Sequence, residues 1–137
     1  MREILFRGKA ISGLKTGKWV FGAYANGFWC ANKNEHVIIP TFIGGGYFEV
    51  IHETVGQYTG LKDKNGKRIF EGDIVKSCEY GDMFRVEYFG ETNYPAFDCV
   101  PDVSETDCNG LSFLVNTEGC EVIGNIHDNP ELLENEK

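Results

Sequence analysis

Three histidines, five cysteines and a mixed run of carboxylates and cations between Gln57 and Lys76 are the residues of this 137-residue chain whose types could do chemistry. A nucleophilic mechanism needs a thiol or hydroxyl with a base in reach, and His36, His52 and His127 are far in sequence from one another and from every cysteine, so no catalytic residue is assigned. Cys30, Cys78, Cys99, Cys108 and Cys120 form an odd set at wide spacings with no Cys-x-x-Cys pair. They read as reduced thiols, several of them buried, and neither a metal site nor a cofactor is expected. Glu71 and Asp73 flank Gly72 and could hold a divalent cation, but capping of a turn by Asp73 accounts for that pattern more simply. The run Gly44-Gly45-Gly46 could cradle a phosphate. It lacks a following Lys-Ser/Thr and a helix, so a loop is expected.

Binding is the chemistry left, and two groups of residues suit it. Gln57, Tyr58 and Thr59 are polar and aromatic positions that either satisfy backbone groups at a sheet edge, with Tyr58 packed beneath a hairpin, or line a groove for a partner protein. Lys62, Lys64, Lys67, Arg68 and Lys76 make a basic cluster near Tyr58 and Phe70 of the kind that meets nucleic acid, interleaved with the acids Asp63, Glu71 and Asp73, of which Asp63 is also a binding candidate. Charge argues against the second partner. Residues 1–97 carry 12 basic and 11 acidic side chains, whereas residues 98–137 carry one basic and 10 acidic, giving a net charge of −8. An acidic surface repels a phosphate backbone, so a partner protein ranks first, nucleic acid second and a hydrolytic activity last. Self-association through strand edges is compatible with either kind of binding.

The elements that must position these residues are mainly strands. The composition, with 17 Gly, 10 Phe and 6 Tyr, favours tight turns and aromatic strands. Strands are expected at 2–7 (an edge strand), 19–25, 36–40, 47–51, 83–89, 111–115 and 120–126, with one short strand at 96–100 inside a long acidic excursion over 90–110. Asn26-Gly27 signals a hairpin leading into Phe28-Trp29-Cys30. Asn65-Gly66 signals a tight turn that Asp63 can brace through backbone N–H groups, and Glu71-Gly72-Asp73 signals a second turn before a strand at Ile74-Val75. Asn129 followed by Pro130 and acidic residues predicts one short terminal helix. No apolar run approaches the roughly 18 residues of a membrane span. The first residues lack the apolar stretch of a secretory signal, so the cytoplasm is the expected compartment.

The block Val55-Gly56-Gln57-Tyr58-Thr59-Gly60-Leu61-Lys62-Asp63-Lys64-Asn65-Gly66-Lys67, continuing to Ile69-Phe70-Glu71-Gly72-Asp73-Ile74-Val75, resembles the central signature of the YopX family of phage and prophage proteins. The opening Arg2-Glu3-Ile4 with Phe6-Arg7-Gly8-Lys9 and Gly17-Lys18-Trp19-Val20-Phe21-Gly22 is similar to one of its N-terminal variants. Val122-Ile123-Gly124-Asn125-Ile126-His127-Asp128-Asn129-Pro130-Glu131-Leu132-Leu133 is similar to its C-terminal signature. The resemblance implies one domain over 1–137, with an N-terminal β region (1–53) and a small barrel of the Src-homology 3 type (54–137). The acidic excursion departs from the pattern. It implies no catalytic residue and no activity, which leaves a non-enzymatic interaction module as the expected role.

Overall fold

The computed structural model describes residues 4–11, 15–26, 36–40, 46–89, 96–100 and 110–134. These form ten strands, β1 Phe6–Lys9, β2 Trp19–Asn26, β3 His36–Ile39, β4 Phe48–Val50, β5 Gly56–Lys62, β6 Arg68–Phe70, β7 Asp73–Ser77, β8 Met83–Tyr88, β9 Phe97–Val100 and β10 Cys120–Asn125, and two short helices, α1 Gly110–Phe113 and α2 Glu131–Glu134. No helix among the described residues is long and apolar enough to cross a membrane. The chain is thus mainly β, and it divides into two compact units, Met1–Tyr58 and Thr59–Lys137.

In the first unit the strands lie in the order β4-β3-β2-β1-β5, all antiparallel. The expected edge strand near the start is therefore interior, because β1 pairs on one side with β2 and on the other with β5. Alternation along the strands turns Val20, Ile38 and Val50 to one core with Ala10, and Phe6, Tyr24, Phe48 and Val55 pack against it. Close approach is enforced at Gly22, where an added Cβ would stand 2.1 Å from the Ile39 carbonyl oxygen. β2 pairs with β3, with Asn26 opposite His36, while the hairpin expected to lead from Asn26-Gly27 into Phe28-Trp29-Cys30 falls on residues outside those described. Residues 27–35 lie outside the described residues, as do Gly44 and Gly45 of the triple glycine and Cys30 and Cys108. A 3-10 turn, His52–Thr54, joins β4 to β5. The Thr54 hydroxyl donates to the Ile51 carbonyl at 2.6 Å and accepts from the Lys9 N–H at 2.9 Å, which ties that turn to β1.

The second unit contains the rest of β5 from Thr59 onward, which forms a hairpin with β6, and a sheet in the order β10-β7-β8-β9. β7, β8 and β9 pair in turn as an antiparallel meander, and β8 alternates half-buried and buried positions from Met83 to Val86. Ile69, Val75, Leu111, Leu114 and Cys120 are fully buried in its core with Phe84, Val86 and Cys99. Each of the large aliphatic side chains contributes about 1.5–3 kcal/mol by leaving water.

Two expectations fail together here. The strand expected at 111–115 is instead α1 followed by a wide turn over Leu114–Glu118, closed by the Gly119 N–H donating to the Leu114 carbonyl at 2.8 Å. Leu111 and Leu114 are three residues apart and both fully buried, a spacing that shares one face of a helix but opposite faces of a strand. The Asp98 carboxylate accepts from the Leu111 N–H at 3.0 Å and so satisfies a donor in the first turn of α1. Among the described residues the ladder ends at β9 on one side and β10 on the other, so the sheet is open and the expected barrel is not closed.

The terminal helix forms where Asn129-Pro130 indicates. The Asn129 side chain does not cap it, however, because its Oδ1 accepts from the Asn125 N–H at 3.3 Å.

At Gly66 the backbone is left-handed, with φ at 82°, and nothing lies within 4 Å of where a Cβ would stand. Gly66→Ala is thus expected to cost only the conformational penalty, about 1 kcal/mol, read as a shift in urea midpoint at unchanged slope.

Candidate functional site

The signature run folds into a hairpin whose polar residues mostly point at the backbone. β5 and β6 are joined by a loop in which the Gly66 N–H donates to the Asp63 carbonyl at 3.0 Å and the Asp63 N–H donates to the Lys67 carbonyl at 2.8 Å. The Asp63 side chain is buried, 7% exposed. Its Oδ1 accepts from the N–H groups of Asn65 and Lys67, both at 2.9 Å, and its Oδ2 accepts from the Val122 N–H at 2.9 Å, 59 residues along the chain. A further backbone bond, from the Lys64 N–H to the Cys120 carbonyl at 3.0 Å, fastens the same loop to β10. Sequence reasoning expected Asp63 to brace its own turn; the reach to β10 is added by the fold.

With its backbone fixed in this way the loop turns its cations outward. Lys62, Lys64, Asn65, Lys67 and Arg68 are all exposed. Lys64 lies 3.9 Å from the Glu121 carboxylate with both side chains about half exposed, a pairing that water screens to little net energy.

The other candidates have structural surroundings. Tyr58 is 6% exposed and its N–H donates to the Leu5 carbonyl at 2.8 Å; Gln57 is half-buried, opposite Phe6. Both belong to the first unit, so they do not share the loop's unit. The Thr59 hydroxyl donates across the hairpin to the Ile69 carbonyl at 2.7 Å and accepts from the N–H of Leu61 in its own strand at 3.2 Å. At the second turn Gly72 has φ of 92° and buried Asp73 accepts from the Phe70 N–H at 2.7 Å, while Glu71 is half-buried. Gly72 is also fixed on both sides, its N–H donating to the Val86 carbonyl at 2.8 Å and its carbonyl accepting from Ile126 at 2.9 Å.

His36 and His52, far apart in sequence, are brought together by the fold. The rings of His36 and His52 stack with centroids 4.1 Å apart and planes 10° from parallel, and Tyr24 lies parallel to His36 on the next strand at 5.9 Å. The Tyr24 hydroxyl meets His36 Nδ1 at 2.5 Å. Burial lowers the pKa of His36, the neighbouring His52 lowers it further, and Glu53 partly opposes them. The signal was available only through register: His36 pairs with Val50, so a residue two beyond Val50 comes back over the same strand end.

Cys78, Cys99 and Cys120 form no disulfide, and burial with the nearby Asp63 and Cys78 pushes Cys120 up to about 11. Among the described residues no group of three or more His, Cys, Asp or Glu side chains is placed to hold a metal ion.

Residues 23–134 match the model of a family described as YopX protein. The chain is also similar to a solved structure, the crystal structure of protein EF1440 from Enterococcus faecalis, at 25% sequence identity and a TM-score of 0.57, over 97% of this chain and 99% of that one. No curated protein matches it.

Proposed function

Because the chain belongs to the YopX family, we propose that it is a phage- or prophage-type accessory protein of the cytoplasm. In this reading it is a single interaction module without enzymatic activity, and it docks an acidic surface of a host or phage protein through the β5–β6 loop. The observation that carries this reading is a loop with exposed Lys62, Lys64, Lys67 and Arg68 on a backbone held by the buried Asp63 carboxylate. A preorganised loop loses little conformational freedom on docking, which favours affinity.

Charge supports a protein over nucleic acid. Residues 59–137 carry 17 acidic and seven basic side chains, so the loop is a small cationic island in an acidic unit. An extended polyphosphate would run from that island onto repelling carboxylates, whereas a compact acidic patch on a protein fits within it.

The test is affinity purification from host cells with the native chain and with Lys64→Glu/Lys67→Glu. The double variant is expected to unfold at the native temperature and to lose the co-purifying protein by at least about tenfold, the scale of a rim charge reversal. Retention of that protein at native levels by the double variant would remove the loop from the interface. Salt-sensitive retardation of an oligonucleotide by the native chain, lost in the variant, would put nucleic acid in its place.

A further inference from the structure

Tyr24, His36 and His52 form a column that the proposed docking loop does not use. Tyr24 comes from β2, His36 opens β3, and His52 begins the 3-10 turn that carries the chain from β4 into β5. His52 is exposed while His36 and Tyr24 are half-buried, so protons reach the column from one end. The charged or titratable groups acting electrostatically on His36 are His52 and Glu53, both in the 3-10 turn; from β2 it meets the Tyr24 hydroxyl.

We propose that this column is an acid-sensitive latch, which holds the His52–Thr54 turn on β3 while at most one imidazole is protonated and loosens that turn when the pair takes up a second proton. Neutral imidazoles stack face to face without charge repulsion. One added proton is tolerated, since Glu53 offsets it and the Tyr24 contact survives with its direction reversed, protonated Nδ1 donating to the phenolic oxygen. Two protons place two cations at the stacking distance of 4.1 Å in a half-buried site, and one ring must leave. His52 is the ring free to do so, because His36 lies in a paired strand between β2 and β4. The departing turn strains the bonds from Thr54 to Ile51 and Lys9, so acid loosens the entry to β5.

The sign follows from His36. Its folded-state pKa lies below the ordinary 6.5, so the unfolded or opened chain takes up the proton first as pH falls. Closure is fully favoured above that ordinary value and is lost progressively as pH drops from it toward the folded value.

The test is amide hydrogen exchange between pH 7.5 and 5.0, corrected for intrinsic rates, at Thr54 and Val55, whose N–H groups donate to the Ile51 and His52 carbonyls at 3.0 Å. The native chain is expected to lose protection there by about tenfold at the acid end, while His52→Phe, which keeps a stacking ring but binds no proton, changes by less than about twofold. His52→Gln, with neither ring nor charge, is expected to be equally indifferent to pH. A native chain whose protection at these amides is flat with pH, or a His52→Phe variant that keeps the native acid response, would overturn the latch.

Discussion

Asp63→Ala is expected to lower the stability of the unit 59–137 by about 3 kcal/mol, the scale of losing charge-assisted hydrogen bonds to three backbone donors when solvent can replace some of them. Three N–H groups, those of Asn65, Lys67 and Val122, depend on this carboxylate, and they belong to two segments that nothing in local sequence joins. For a unit of this size that is a fall of roughly 15 °C in melting temperature. Asp63→Asn is expected to do nearly as badly. An amide can present one acceptor to the turn, but it then turns a donor toward the Val122 N–H, and two donors face each other. Denaturant unfolding of both variants checks this; a loss below about 1 kcal/mol for alanine would mean that water serves the loop as well as the carboxylate does.

The second large effect is expected from the smallest possible change in the first unit. Gly22→Ala would set a methyl group 2.1 Å from the Ile39 carbonyl oxygen, 2.6 Å from its carbon and 2.9 Å from the Pro40 Cα, all of them backbone atoms. No rotamer relieves such a contact, so β2 and β3 must separate where Ala23 pairs with Ile39. A cost of roughly 3 kcal/mol or more is expected, beyond what overpacking by one methyl costs in a yielding core. Since a unit of this size is marginal from its own core, the residues up to Tyr58 should become susceptible to proteolysis under native conditions. Gly46→Ala is the control, because nothing lies within 4 Å of the added carbon, and it should leave cleavage unchanged.

What was legible in the sequence was local chemistry. Glycine at positions 66 and 72 implies backbone denied to other residues, and both adopt positive φ. Asp63 and Asp73 bind backbone N–H groups of the turns that their spacing suggests. Alternation in residues 83–89 reads as a half-buried strand, and β8 forms there with Phe84 and Val86 buried. The failures share a cause, which is that pairing between distant segments outweighs local pattern. Residues 111–115 read as a strand by composition, yet burial of both Leu111 and Leu114 in one core selects a helical turn. β1 read as an edge because nothing near it in sequence reveals that β5 arrives on its other side. The candidate site divides in the same way. Exposed lysines around a turn are visible in a string of letters, whereas the Asp63 bond to Val122 and the stacking of His36 on His52 require the register of strands far apart in the chain.

The central claim is that one buried carboxylate fixes the loop to β10 and so leaves the surrounding cations outside for a partner. The amide of Val122 reports on it directly, because its acceptor is the Asp63 side chain itself. Hydrogen exchange at that amide should be slow in the native chain and faster by at least about a hundredfold in Asp63→Ala, while the amides joining β2 to β3 stay as they were. An unchanged Val122 rate in the variant, or a fast rate in the native chain, would contradict the account.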